Sequence, residues 1–351
     1  MTLAPWQLEA WAKLTARAES GGLPHALLLV GPESIGKRAF AEHIAAFLLC
    51  QQRDAAPCGR CRSCELFALR AQRDPEETRP DGSLAQPNGH PVHPDVKFVG
   101  YAMNDKSKKM YGEIVVDQIR ALSAWFSLTP QQGRAQVAVI EPADAMNAAA
   151  ANALLKTLEE PSPGRYLLLV TAHQARLPAT IRSRCQRIAF HLPAARVALE
   201  WLTRQGLNEK QASAALEASG GNPGLALTWA KSGRLALRDE VAGQLRALQQ
   251  GRSNAVDVAN AWGKAEPDAR LWFAATLAQS ESNALSRSVQ GPLALTAGVD
   301  LTKLAAWFDQ SNRARELLRG PLRAELVVLE VLLAWTQLVR PRGTGKAARG
   351  A

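Results

Sequence analysis

Over the first 190 positions, apolar residues fall into short unbroken runs. Between the runs lie longer stretches where they recur every three or four positions. Ala26-Leu27-Leu28-Leu29-Val30, Gln136-Val137-Ala138-Val139-Ile140 and Tyr166-Leu167-Leu168-Leu169-Val170-Thr171 are too short for helices and show no polar alternation. That is the pattern of strands buried on both faces of a parallel sheet. Asp95 to Val99 and Gln186 to Phe190 read as two further strands. Helical spacing covers residues 6–20 (Trp6, Leu8, Trp11, Leu14), 38–49 (Phe40, Ile44, Phe47, Leu48), most of 114–128 after a short extended start (Ile119, Leu122, Phe126), and 145–158. Gly21-Gly22 stops the first of these and Pro161 follows the last. Strands alternating with helices predict an α/β fold with a doubly wound parallel sheet.

From about Ala194 no strand pattern remains. Residues 194–233 read as a small helical unit closed by Gly220-Gly221-Asn222-Pro223-Gly224, followed by longer helices. The last, Ala324 to Val339, is apolar over much of its circumference (Leu326, Val327, Val328, Leu329, Val331, Leu332, Leu333, Trp335). Such a helix is expected inside a bundle or against partner subunits. The expected division is an α/β domain at 1–192, a helical unit at 193–235, a helical domain at 236–340, and a basic, Gly-rich tail at 341–351 that reads as disordered. Residues 73–112 are polar and rich in Pro and Gly, with a Lys106-Ser107-Lys108-Lys109 run; they read as an insertion carrying a solvated charge cluster.

Composition adds little to the fold and something to the setting. With 351 residues and 47% hydrophobic content the chain can fill two or three cores. Lys and Arg outnumber Asp and Glu by 42 to 32, and the pI is about 9.7, a mild bias towards polyanions that an ordinary basic soluble protein also shows. No run of 18 apolar residues is present, so no membrane span is expected. The start, Met1-Thr2-Leu3-Ala4-Pro5-Trp6-Gln7, lacks a signal-peptide layout. Of five cysteines four cluster, which favours a metal in a reducing, cytoplasmic compartment over a disulfide framework.

Three constellations carry candidate chemistry. Directly after the first strand, Gly31-Pro32-Glu33-Ser34-Ile35-Gly36-Lys37 fits G-x-x-x-x-G-K, a phosphate loop whose amides and lysine cradle nucleotide phosphates. The hydroxyl residue that should follow, to hold Mg²⁺, is Arg38. Likewise, the strand ending at Ile140 should be followed by Asp-Glu, for metal and for water, but Glu141-Pro142 stands there, and proline can act on no proton. Glu141 could still approach a metal. Asp144 is expected to cap the next helix. Gly31, Gly36 and Lys37 are thus candidates for ATP or ADP binding that is weak or lost. The second constellation, Cys50, Cys58, Cys61 and Cys64, is spaced C-x7-C-x2-C-x2-C, which suits a closed structural zinc site, with Arg53, Arg60 and Arg62 offsetting its charge. An iron–sulfur cluster is disfavoured because the usual Cys-Pro is missing. His90, His93 and Asp95 are disfavoured as a second metal site in so proline-rich a segment. The third comprises Arg182 and Arg184 in Ser183-Arg184-Cys185, cations at the sheet's outer edge.

Together these residues resemble the delta-prime family of bacterial DNA polymerase III clamp-loader subunits. The resemblance rests on Leu23-Pro24-His25-Ala26-Leu27-Leu28 with the loop that follows, the four cysteines, His93-Pro94-Asp95, Val116-Asp117-Gln118-Ile119-Arg120, Asn152 to Pro161, and Ser183-Arg184-Cys185. It spans about the first 190 residues and is largely shared with the tau and gamma ATPase subunits. It implies an AAA+ module with an inserted zinc module at about 50–64, a small helical lid and a C-terminal helical collar. The collar would assemble with tau/gamma and delta subunits into a ring that places the sliding clamp on primed DNA, within a DNA-directed DNA polymerase holoenzyme. It also implies that Arg184 is an arginine finger reaching ATP on the adjacent subunit. Arg38, Glu141-Pro142 and the lack of arginine around Gly220 to Ala226 depart from the ATPase subunits and imply a member that does not itself hydrolyse ATP. The alternatives are an active tau/gamma-type ATPase, which needs the metal and base positions intact, and a stand-alone zinc protein binding nucleic acid, which needs tight DNA binding without partners.

Overall fold

The computed structural model describes residues 2–52, 56–72, 76, 84, 86–101, 112–132, 135–295, 300–318 and 322–339. The chain divides into two compact units, Met1–Val197 and Ala198–Ala351. The Lys106–Lys109 run and the 341–351 tail lie outside the described residues.

The first unit contains, in order, α1 (Leu8–Glu19), β1 (Ala26–Val30), α2 (Lys37–Leu49), α3 (Arg62–Ala68), β2 (Arg70–Ala71), β3 (His90–Pro91), β4 (Val96–Val99), α4 (Val116–Phe126), β5 (Gln136–Ile140), α5 (Ala148–Glu159), β6 (Arg165–Thr171), α6 (Ala179–Arg182) and β7 (Gln186–Ala189). Five strands form one parallel sheet in the order β4-β5-β6-β1-β7, and β2 and β3 form a small antiparallel pair. The Gly21-Gly22 stop has a physical basis. Gly21 takes φ +72° and the Gly22 amide donates to the Arg17 carbonyl at 2.9 Å, closing the last turn of α1.

The unbroken apolar runs reflect two cores, one on each side of the sheet. Leu27, Leu29, Val137, Val139, Leu168 and Val170 face Leu14, Phe40, Ile44 and Leu49 of α1 and α2. Their neighbours Ala26, Leu28, Val30, Ala138, Ile140, Leu167 and Leu169 face Ile119, Leu122, Leu154, Leu158 and Ile181 of α4, α5 and α6. Alternate residues along the middle of each strand serve alternate cores, so polar residues are confined to the strand ends, such as Gln136 and Thr171.

The α5 helix begins later than the sequence suggests. Asn147, not Asp144, is its N-cap, with its Oδ1 accepting the Ala150 amide at 2.9 Å. Asp144 sits in a separate 3-10 turn, Ala143–Ala145, and its carboxylate is engaged elsewhere.

The second unit is all helix: α7 (Ala195–Arg204) leads into it, followed by α8 (Glu209–Ala218), α9 (Pro223–Ser232), α10 (Leu235–Gln249), α11 (Ala255–Lys264), α12 (Pro267–Ser286), α13 (Leu301–Leu317) and α14 (Ala324–Val339). The Gly220–Gly224 segment joins α8 to α9, and α9 contributes Ala226 to a small core with Ala198 and Leu202 of α7 and Leu216 of α8. Asn222 caps α9, accepting the Gly224 and Leu225 amides at 3.1 and 3.2 Å, and Trp229 of α9 belongs to the same core as Val241, Trp262, Phe273 and Trp335. A smaller cluster around Leu202, Leu207 and Leu216 lies beside α7 and α8. The core indoles are hydrogen-bonded: Trp335 Nε1 to the Leu245 carbonyl at 3.0 Å, and Trp307 Nε1 to the Val331 carbonyl at 2.8 Å. Among the described residues, no helix is long and apolar enough to cross a membrane.

Because Leu168 is fully buried in the central strand, Leu168→Ala is expected to destabilise the full chain by about 2–5 kcal/mol in chemical denaturation.

Candidate nucleotide and metal sites

The strand register brings the candidate residues to one edge of the sheet. Val30 pairs with Thr171, Ile140 with Leu169, and Val99 with Ile140. The loop after β1, Glu141 after β5 and Thr171 at the end of β6 therefore lie side by side at the carboxyl ends of the strands, where open parallel sheets place ligands.

The loop is held from outside by the chain's own start. Trp6 Nε1 donates to the Ile35 carbonyl and Gln7 Nε2 to the Gly36 carbonyl, both at 2.9 Å. Gly36 takes φ +96°, and a Cβ there would lie 2.7 Å from Gln7 Nε2, so this turn needs glycine. Lys37 opens α2 and is only 6% exposed. Its Nζ folds back onto the loop, donating to the carbonyls of Gly31 at 2.7 Å and Pro32 at 2.6 Å. Burial pulls its pKa down to about 8, against the opposing pull of Glu141, Glu33 and Asp144.

Arg38 and Glu141, two of the departures from an ATPase, are in contact. Arg38 Nη1 meets Glu141 Oε2 at 3.0 Å, its Nε meets Glu42 Oε1 at 2.7 Å, and its Nη2 lies 3.2 Å from His90 Nδ1. The guanidinium also covers the Phe98 ring, 4.0 Å from its centroid. Arg70 pairs with the other Glu42 oxygen at 2.8 Å, and Gln86 Nε2 donates to Glu141 at 3.3 Å. Beside this network, Thr171 Oγ1 donates to Asp144 Oδ1 at 2.5 Å and accepts the His173 amide at 2.9 Å. The sequence pattern marks Thr171 only as the end of a strand; its tie to Asp144 spans 27 residues.

The four cysteines do converge. Cys50 follows α2, Cys61 caps α3, Cys64 lies within α3, and the four sulfurs all lie within 4.8 Å of one another. The Cys50–Cys61 and Cys58–Cys64 sulfurs are 3.9 and 4.0 Å apart, close to the edge of about 3.8 Å expected for a tetrahedron with metal–sulfur bonds of about 2.3 Å. The Gln52 and Cys58 amides point at Cys50 Sγ at 3.4 Å, as suits a thiolate. These residues fit one metal ion. Of the arginines expected to offset its charge, Arg53 lies outside the described residues and Arg62 is 4.0 Å from Glu65.

His93 fastens this module to the sheet. Ser63 Oγ donates to the Leu49 carbonyl at 2.6 Å and lies 2.7 Å from His93 Nε2. His93 Nδ1 accepts the Asp95 amide at 3.0 Å, so its proton sits on Nε2 and is donated to Ser63. Burial lowers the His93 pKa in the same sense, with Asp95 opposing. The Asp95 carboxylate accepts the Gln131 and Gln132 amides, each at 2.7 Å. Asp95 and both histidines are thus committed to protein partners. Among the described residues the four cysteines are the cluster of metal-ligating side chains.

At the other end of the unit, Arg184 follows α6 and is about one-third exposed. Its Nη2 meets Glu159 Oε1 at 2.6 Å and its Nη1 donates to the Thr180 carbonyl at 2.9 Å. The partner, Glu159, closes α5 and had not been singled out from the sequence.

The family described as DNA polymerase III, delta subunit, matches residues 6–194. The chain belongs to this family. A DNA polymerase III subunit delta' from Pseudomonas aeruginosa is 39% identical over 262 residues, 74% of this chain and 70% of that one. The delta' subunit of Escherichia coli is 33% identical over 225 residues, 64% and 59% of the two chains. A tau subunit from Salmonella typhimurium is 32% identical over 185 residues, 52% of this chain and 24% of that one. The family match thus covers nearly all of the first unit, and the four-cysteine cluster lies between α2 and β2 of that unit.

Lys37 should titrate unlike a surface lysine. Its folded value of about 8 lies below the usual 10.5, so raising the pH through 8 discharges it while an unfolded chain still holds the proton. Its burial therefore opposes folding below pH 8, and that penalty is relieved as the pH rises towards 10.5. NMR of ¹³C-methylated lysines should show one resonance titrating near pH 8 that is missing in Lys37→Met.

Proposed function

We propose that this chain is a delta-prime clamp-loader subunit of DNA polymerase III that hydrolyses no ATP itself and supplies Arg184 to the ATP site of a neighbouring tau/gamma subunit. In this reading it works in the cytoplasm, as part of an assembly with tau/gamma and delta that loads the sliding clamp onto primed DNA. The observation that carries the non-hydrolysing half is the Arg38–Glu141 ion pair. The two positions that would hold a divalent cation instead hold each other at 3.0 Å, and Pro142 stands where the base would be. An active site without metal ligand or base has lost the groups that activate water and stabilise charge on the transferring phosphoryl group.

The trans-acting half is supported by where Arg184 sits. A partly exposed guanidinium, held among the described residues by a surface carboxylate and a backbone carbonyl, can leave for a stronger anion at small cost. Assembly is supported by α14 in the second unit. Leu322, just before it, with Leu326 and Leu333 are 54%, 60% and 44% exposed, and half-buried Leu329 completes a stripe with spacings of four, three and four. That is the face a helix offers a partner. The cysteine site is proposed to hold zinc in a structural role: four thiolates close a tetrahedron and leave no position for substrate.

Three measurements test this. The isolated chain should show no steady-state ATPase above a Lys37→Ala control; robust Lys37-dependent turnover would return it to the ATPase class. Arg184→Ala should fold normally yet lower the DNA-stimulated ATPase of the loader reconstituted with tau/gamma and delta by about 10³-fold at the affected site, and unchanged turnover would remove the finger role. Elemental analysis should find about one zinc per chain, and Cys58→Ala or Cys61→Ala should lose both metal and thermal stability.

A further inference from the structure

Phosphate loops of this type are built to take a nucleotide together with Mg²⁺, but the residues here do not fit that ion. The hydroxyl ligand is replaced by Arg38, and the acidic ligand, Glu141, is already shared between the Arg38 guanidinium at 3.0 Å and the Gln86 amide at 3.3 Å. The guanidinium is not a loose surface group. Its side chain is 16% exposed, is gripped by Glu42 and Glu141, approaches His90 Nδ1 and is stacked on Phe98. A divalent cation would have to expel a buried, paired cation and then accept a site with one carboxylate and no hydroxyl. Mg²⁺ tolerates such irregular shells poorly.

What remains is still an anion site. Lys37 points into the loop from the first turn of α2, and the carbonyls it now holds, Gly31 and Pro32, are an exchangeable substitute for phosphate oxygens. Arg38 has five N–H groups, of which Glu42, Glu141 and His90 take three. Among the described residues this leaves two donors on a fixed positive charge, one position along the chain from the lysine. We infer that this loop takes the phosphates of a nucleoside diphosphate or triphosphate without a divalent cation, with the Arg38 guanidinium standing where Mg²⁺ stands in an ATPase. Arg38 and Glu141 cancel one another's charge, whereas a metal with one carboxylate keeps a positive excess. The site therefore binds modestly and offers nothing to a γ-phosphate that would promote its transfer.

This inference deepens the proposed function and rests on its reading of the loop as a degenerate nucleotide site, but its test is separate. ADP binding to the full wild-type chain, measured by calorimetry in EDTA and again in excess Mg²⁺, should be equal within about threefold or weaker with metal. With Mn²⁺ and ADP, the wild-type chain should leave the electron paramagnetic resonance signal of the Mn·ADP complex as it is in buffer. Arg38→Thr, which frees Glu141 and restores a hydroxyl, should gain about tenfold or more in ADP affinity from Mg²⁺ and should perturb the Mn²⁺ signal. Mg²⁺ strengthening wild-type binding by about tenfold, or ADP failing to bind in either buffer, would overturn the inference. So would a folded Arg38→Thr chain that gains no metal dependence. If that variant does not fold, the wild-type comparison decides alone. The reconstituted-loader measurement with Arg184→Ala reads the finger and is untouched by any of these results.

Discussion

The first unit depends on burying three adjacent strands, β5, β6 and β1, on both faces. Each residue along them must satisfy one of two cores, so register cannot slip by a single position without exposing an entire strand to the wrong side. That rigidity makes the edge of the sheet a usable surface. With Val30 fixed opposite Thr171 and Ile140 opposite Leu169, the loop lysine, the glutamate after β5 and the threonine ending β6 have their spacing set by backbone hydrogen bonds. Side chains there need only reach across one strand.

The departures from a hydrolytic sequence pattern at this edge are side chains set on that frame. Two substitutions by which the sequence departs from a hydrolytic site become one interaction in space. Arg38 alone would leave a buried cation, and Glu141 beside a missing metal would leave an unbalanced carboxylate; together they satisfy each other. The pair also draws in Glu42, Arg70, His90 and Gln86, so the two side chains sit in a polar network beside the loop.

Much of this frame was legible in the sequence because it is local. The runs at 26–30 and 136–140 coincide with strands, and the run ending at Thr171 with most of another, since five or six apolar residues without periodicity leave few other options. The cysteines were legible for the same reason: their spacing confines them to fifteen residues. The cap of α5 falls at Asn147, three positions beyond Asp144, the first aspartate after the strand. Asp144 was unavailable because it binds Thr171, 27 residues away. The pairings that define the site, Arg38 with Glu141 across 103 residues and Arg184 with Glu159, were not legible at all, because no periodicity or spacing rule links residues that meet only after the sheet has formed.

The bond from His93 to Ser63 separates two timescales of assembly. Cys50 to Cys64 is a short loop, and a metal can gather it with little loss of chain entropy while the sequence beyond it is still unstructured. Ser63 then waits for a histidine thirty positions later, and Asp95 in turn for the amides of Gln131 and Gln132. The cysteine cluster is thus local in sequence, closed within fifteen residues. Its attachment to the body is deferred until β4 and the segment before β5 have emerged.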